Sequence, residues 1–356
     1  MTYLYTQAGR RFRLGAFALL AVLVGACNGA DDLTSSNSPE VATDGPASDP
    51  AAADSLAADT LTDGQLTPAA LSAETALYAT SGMAFGPEGL WASYTSLKTN
   101  SLPFNGSSNF TSASGIIQQI NAARNMRHRL VLNMTGGSHS RYKTYGKFDL
   151  SKWKAVMNTY NRSDIKAAVA RGVSDGTIIM NSVMDEPNVK DWGGVVTKSM
   201  LDGMARYVKN IFPSLVVGVQ LRWDWRTTEK FRVMDAYITS YKAAKGTPSQ
   251  FRTWALNNAK AQGMKVMFAL NVLDGGYQGS TCPLSSTGGR GTYYPNCRMS
   301  ASQVRTWGRY LGPAGCAALT MWQYDRDFMT KSANVSAFRD VAYTLRGTPA
   351  RSCRRS

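Results

Sequence analysis

Acidic residues are scarce in this chain of 356 residues, 24 against 39 Lys and Arg, and they stand side by side at only two places, Asp31-Asp32 and Asp185-Glu186. Asp185 and Glu186 fall in Met184-Asp185-Glu186-Pro187-Asn188, at the end of an apolar run. Adjacent carboxylates near low-dielectric walls repel each other, which favours a proton on one of them near neutral pH. Such a group can act as a general acid while another carboxylate serves as base or nucleophile. Asp274 is the leading candidate for that second group, with Asp224 and Asp325 as rivals, although Asp274-Gly275-Gly276 also reads as a turn. Aromatic side chains accompany the rivals: Trp223 and Trp225 flank Asp224, and Trp322 and Tyr324 precede Asp325. Metal chemistry is not expected, because two His and five Cys form no CxxC or HExxH spacing. No cofactor is expected either. There is no G-x-S-x-G elbow, and Thr135-Gly136-Gly137-Ser138 lacks the Lys-Ser/Thr ending of a P-loop.

These residues need a scaffold, and the hydropathy pattern describes one. Apolar runs lie near 82–85, 129–134, 177–184, 215–221, 236–241, 265–273 and 317–324. Amphipathic stretches alternate with them at 115–125, 151–160, 164–172, 198–211, 249–262, 300–311 and 335–345. Short apolar strands separated by helices predict a parallel sheet covered on both faces. The 280 residues from 77 to 356 match an α/β fold of the (β/α)8 TIM-like barrel type in size. A doubly wound open sheet is the alternative, but no GxGxxG follows the first strand. Seven strands are visible. The eighth is expected within Leu90–Leu97, or in the long segment between Thr135 and Asp164.

In a barrel, chemistry is placed at the C-terminal ends of the strands. That rule collects Asn133 and His139, then Asp185 and Glu186, then Gln220 and Arg222 with Trp223 and Trp225. Asn271 and Asp274 follow, and Trp322, Tyr324 and Asp325 close the set. Here the chain resembles the superfamily of (β/α)8 glycoside hydrolases, on Glu186-Pro187 and on Trp322 in Met321-Trp322-Gln323-Tyr324-Asp325. In that superfamily Asn-Glu-Pro ends the fourth strand and its Glu is the acid/base, so the resemblance implies that Glu186 is the proton donor. Asp185 stands where the family has the Asn that contacts the sugar 2-hydroxyl. The family's Glu nucleophile at the end of the seventh strand has no counterpart, and Asp274 is the substitute. A gap of about 5 Å between the two carboxyl groups would fit a retaining mechanism, and about 6.5–9.5 Å an inverting one. Trp322, Trp223 and Trp225 would offer faces for a pyranose, with polar neighbours for its hydroxyls. The resemblance implies cleavage of a polysaccharide. The alternative is a non-catalytic glycan-binding protein that kept the barrel and its aromatic cleft, and a lyase using His139, a Tyr or Arg222 is a weaker third.

The ends of the chain bear on location. Arg10, Arg11 and Arg13 precede the uncharged stretch Leu14–Ala26, and Val24-Gly25-Ala26-Cys27 resembles a bacterial lipobox. Residues 1–26 are therefore expected to be a lipoprotein signal peptide, with Cys27 lipidated at the cell envelope, at the outer membrane or cell surface. Thirteen residues would span about 20 Å as a helix, too short for the hydrocarbon core. A plain secretory signal is the alternative. Residues 27–76 are rich in Ala, Ser, Thr, Asp and Pro, with no Lys, Arg or aromatic residue, and read as a disordered tether. That segment holds nine acids, so residues 77–356 carry 36 of the bases and 15 of the acids, a formal net charge of +21. Basic residues are dense between Arg124 and Lys154, which suits an anionic surface or an acidic polysaccharide. No nucleic-acid motif is evident, membrane contact is expected through the lipid anchor alone, and the protein is expected to be a monomer. Four cysteines remain after Cys27, and two disulfides are expected, Cys282 with Cys297 and Cys316 with Cys353.

Overall fold

A computed structural model describes residues 82–90, 102–187, 192–221, 230–277 and 297–355. The expected leader and tether with Cys27 lie outside the described residues, as do Arg222, Trp223, Asp224, Trp225 and Cys282. Eight parallel strands form the wall: β1 Ala84–Pro87, β2 Gly106–Phe110, β3 Arg129–Asn133, β4 Ile178–Asp185, β5 Val217–Gln220, β6 Ala236–Tyr241, β7 Lys265–Asn271 and β8 Ala318–Trp322. Each pairs in parallel with its neighbour in the order β1-β8-β7-β6-β5-β4-β3-β2. The ring comes together between β1 and β2 through a single parallel bridge, Glu88 with Ser108. Bonds from Asn105 N to Phe85 O (3.1 Å) and from Gly89 N to Ser108 O (2.9 Å) support that seam. The fold is the expected (β/α)8 barrel.

All seven apolar runs are strands, but the eighth lies in neither expected segment. It is β2, whose Gly106-Ser107-Ser108-Asn109 is polar yet buried. Its polarity is met locally, for Asn109 Nδ2 donates to Ser107 Oγ at 2.7 Å. A strand whose side chains bond one another in this way leaves no apolar run to read. Gly106 is there for space: a Cβ on it would lie 2.8 Å from that of Ala84, and one on Gly86 would lie 1.8 Å from Gly106 O. The segment from 135 to 164 instead forms a small hairpin, Lys143–Thr144 with Lys147–Phe148, followed by a helix.

The helices are α1 Ile116–Asn125, α2 Leu150–Asn158, α3 Ser163–Ser174, α4 Lys198–Ile211, α5 Pro248–Gln262, α6 Ala301–Leu311, α7 Arg326–Met329 and α8 Ser332–Arg346. Their starts are written in the sequence. Thr247 with Gln250 and Ser300 with Gln303 form capping boxes, which satisfy amide N–H groups that a first turn leaves open. Strand alternation then sorts the apolar side chains. Ala84, Met180, Ala236, Ile238, Met267, Ala269 and Ala318 form one inner cluster, while Phe85, Tyr237, Phe268 and Leu319 join the layer beneath the helices. Phe268 meets Phe251 of α5 at 6.0 Å between ring centroids, and Phe85 meets Phe338 of α8 at 6.3 Å.

The N-terminal end of the barrel is tied by polar links. Buried Asp235 accepts from Val217 N (2.9 Å) and Arg355 N (3.2 Å) and pairs with Lys209 Nζ at 2.8 Å. Cys316 and Cys353 are bonded, as expected, closing a span of 37 residues. Cys297 is also disulfide-bonded and buried, and its expected partner Cys282 lies outside the described residues.

Candidate functional site

Because every strand runs the same way, their C-terminal ends share one rim, and the candidate residues follow from it. Asn133 ends β3, Asp185 ends β4, Gln220 ends β5, Asn271 ends β7 and Trp322 ends β8. Register places Asp185 beside Gln220 and Trp322 beside Asn271. The β4–β5 register shifts between Ser182 and Asp185. Within that shift the Val183 carbonyl accepts from Thr135 Oγ1 (2.8 Å) and Trp153 Nε1 (3.1 Å), so side chains replace ladder bonds. Glu186 then follows with φ 37°, left-handed backbone that a residue with a Cβ seldom adopts. Backbone of this kind costs of order 1–3 kcal/mol and gathers at functional sites.

A residue that the strand-end reading passed over completes the carboxylates. Glu88 follows β1, with its N–H donating to Met321 O and its carbonyl accepting from Tyr324 N, both at 2.8 Å. Its side chain is half-buried, and its carboxyl is pushed up from 4.5 to about 8, first by loss of water and second by the charge of Asp185. That shift favours the protonated carboxyl at neutral pH. Applying the strand-end rule to the run at 82–85 would have found Glu88, because it is one of only 15 acids after residue 76.

Asp274 and Asp325 are held by other groups. Asp274 Oδ2 pairs with Lys242 Nζ at 2.7 Å, and its N–H donates to Asn271 Oδ1 at 3.2 Å. Asp325 caps α7 by accepting from Phe328 N at 2.8 Å and lies 3.5 Å from Arg298. On the other side of the rim, His139 stacks on Trp192 with ring centroids 4.2 Å apart. Trp192 donates from Nε1 to Asp185 O at 2.8 Å, and Lys143 lies over its ring at 5.9 Å. The loops after β3 and β4 are thus joined behind Asp185. Trp192 was also passed over, for it lies in a polar loop with no run to mark it.

Two further atoms invite a ligand. Asn133 Oδ1 and Tyr324 Oη are buried and find no hydrogen-bond partner among the described residues. Such atoms are rare in folded proteins unless water or a ligand meets them. Trp322 is half-buried, and its peptide bond to Gln323 is cis. A cavity of about 460 Å³ lies at the opposite end of the barrel, lined by Lys260, Lys265, Cys316, Arg351 and Arg355 among others, with no carboxylate. Among the described residues, no three His, Cys, Asp or Glu side chains gather as a metal site.

No family model and no curated protein matches the chain. Similar solved structures include a GH113 β-1,4-mannanase, with 12% identity and a TM-score of 0.45 over 75% of this chain and 98% of that one. A GH18 chitinase from Pseudoalteromonas aurantia shows 10% identity and a TM-score of 0.40 over 74% of this chain and 100% of that one. Native xylanase 10B from Thermotoga maritima shows 10% and 0.42 over 77% and 98%.

Proposed function

We propose that the chain is a glycoside hydrolase that cleaves a polysaccharide at the C-terminal rim of its barrel by carboxylate acid/base catalysis. The observation that carries this reading is the set of acids at that rim, Glu88 with Asp185 and Glu186, the first with its pKa raised by burial and by the charge of Asp185. Such a set can protonate a glycosidic oxygen and activate water. Glu186 is the donor in the reading taken from the resemblance, and Asp274 its nucleophile or base. Trp322, Tyr324, Asn133, His139, Gln220, Asn271 and Asp325 would surround the sugar, together with Arg222, Trp223 and Trp225. Lipidation at Cys27 would hold the enzyme at the bacterial envelope, and the charge of +21 after residue 76 favours an acidic glycan.

The second reading, a glycan-binding protein without catalysis, is favoured by one observation: both Asp274 and Asp325 are occupied by cationic partners. Glu186→Gln separates the two. In a hydrolase with Glu186 as donor it abolishes reducing-sugar release while retention on a glycan affinity gel stays nearly unchanged. Release by neither the native protein nor the variant, with retention by both, establishes the binding protein.

A further inference from the structure

We infer that Glu88, at the end of β1, is the proton donor of this rim, and that Asp185, at the end of β4, is the ionised carboxylate that acts with it as base. The assignment rests on the hydrolase reading and changes which residues carry it out. Glu88 is well placed to donate. Its backbone is pinned on both sides to β8 and the residues after it, while its half-buried side chain has no ion pair or hydrogen bond among the described residues. A carboxyl that is to give up a proton and take one back has to be free of cations in this way. Among the described residues, the neighbouring elements leave it so. β2 and β8 contain no charged residue, and Asp325 is bound to Arg298. On α8, which packs against β1, Asp340 pairs with Arg305, Arg346 lies over Tyr343, and Arg339 is the remaining charge. Asp185 is the charge that acts on Glu88, and it favours the protonated form.

The step closes without an outside reagent. The Glu88 O–H proton passes to the glycosidic oxygen as the C1–O bond breaks, and the leaving sugar departs as an alcohol. The oxygen of a water bonds to C1, and the proton that water gives up goes to Asp185. Glu88 is then ionised and Asp185 protonated, and transfer of one proton from Asp185 to Glu88 restores the pair. Asp185, at the position where the resemblance would place an Asn, has a role in this scheme that an amide cannot fill.

Leaving-group chemistry tests it on the full-length protein. Gln is nearly isosteric with a protonated Glu, so Glu88→Gln should fold as the native chain does. Polysaccharide cleavage should fall about 10²–10⁴-fold in Glu88→Gln. On a dinitrophenyl glycoside, whose leaving phenolate needs no proton, Glu88→Gln should recover most of the native rate, and Glu186→Gln should not. Recovery by Glu186→Gln in place of Glu88→Gln overturns the assignment, as does equal loss on both substrates by Glu88→Gln. Carbon-13 NMR of the Glu carboxyls judges the pair without turnover: the signal lost in Glu88→Gln should titrate near pH 8 and move to lower pH in Asp185→Asn. If no glycan is cleaved at all, the hydrolase reading and the donor role fall together, and this titration alone decides whether the pair exists. An ordinary titration near pH 4.5, or one unmoved by Asp185→Asn, removes the pair even from an active hydrolase.

Discussion

Glu88 and His128 bend the stability of the protein with pH in opposite directions. His128 is buried and hydrogen-bonded to the backbone of Gly106, and loss of water lowers its pKa from 6.5 to about 3. Between those values the unfolded chain binds the extra proton, so stability falls as pH drops from 6.5 towards 3. For Glu88 the folded state binds it, so stability falls as pH rises from 4.5 through about 8. Denaturant midpoints across this range should therefore decline on both sides of a weakly acidic optimum, and Glu88→Gln should remove the alkaline decline alone. An alkaline slope unchanged in the variant would mean that another group titrates there. Residue chemistry of this kind was half legible. Asp185 and Glu186 were visible as neighbours in the chain, whereas the influence of Asp185 on Glu88 arises between residues 97 positions apart and needs the barrel to exist.

At the scale of elements, the weak point is the β1–β2 seam, which has one bridge where other neighbours have several register pairs. Two glycines make the approach possible. Gly86→Ala would drive a Cβ to within 1.8 Å of Gly106 O and should cost on the order of 3 kcal/mol, while displacing Glu88 two residues on. Gly203→Ala is the contrast: Gly203 lies in α4, exposed, with nothing within 4 Å of a built Cβ, and the change should stabilise by about 1 kcal/mol. Urea unfolding of both variants checks the pair of signs. The helix starts at Thr247 and Ser300 rest on capping boxes made within three residues of chain, so they are local. β2 was not legible in the sequence, because its buried polar side chains are matched by the barrel interior and by each other.

At the scale of the whole molecule, the two ends of the barrel have different duties. The Cys316–Cys353 disulfide belongs to the N-terminal end, where Cys316 N donates to Val266 O at 2.8 Å just after β7 begins. Cys353→Ser should lower stability by about 3 kcal/mol, or roughly 6–12 °C in Tm, and leave the rate at 25 °C on any glycan substrate unchanged. Loss of rate before loss of fold would show that the two ends are coupled. Charge acts over the molecule in a different way. With +21 after residue 76, retention on an acidic polysaccharide should weaken steeply between about 0.05 and 0.5 M salt as the Debye length shrinks. Retention that ignores salt would leave stacking, and not charge, as the binding force.

The amino-acid sequence by itself determined the alternation of strands and helices, the helix caps, one disulfide and the rim on which the acids lie. These depend on periodicity and on contacts near in the chain, and hydropathy with side-chain type records both. Only the tertiary structure decided which of the rim acids are paired with cations. Asp274 and Asp325 both read as candidates for the second carboxylate until folding brought Lys242 and Arg298 to them. Glu88 is not among the acids singled out from the sequence; the closing barrel removes its water and sets the charge of Asp185 against it. Desolvation and Coulomb energy depend on distance in space, and that distance exists only once the ring of strands has formed.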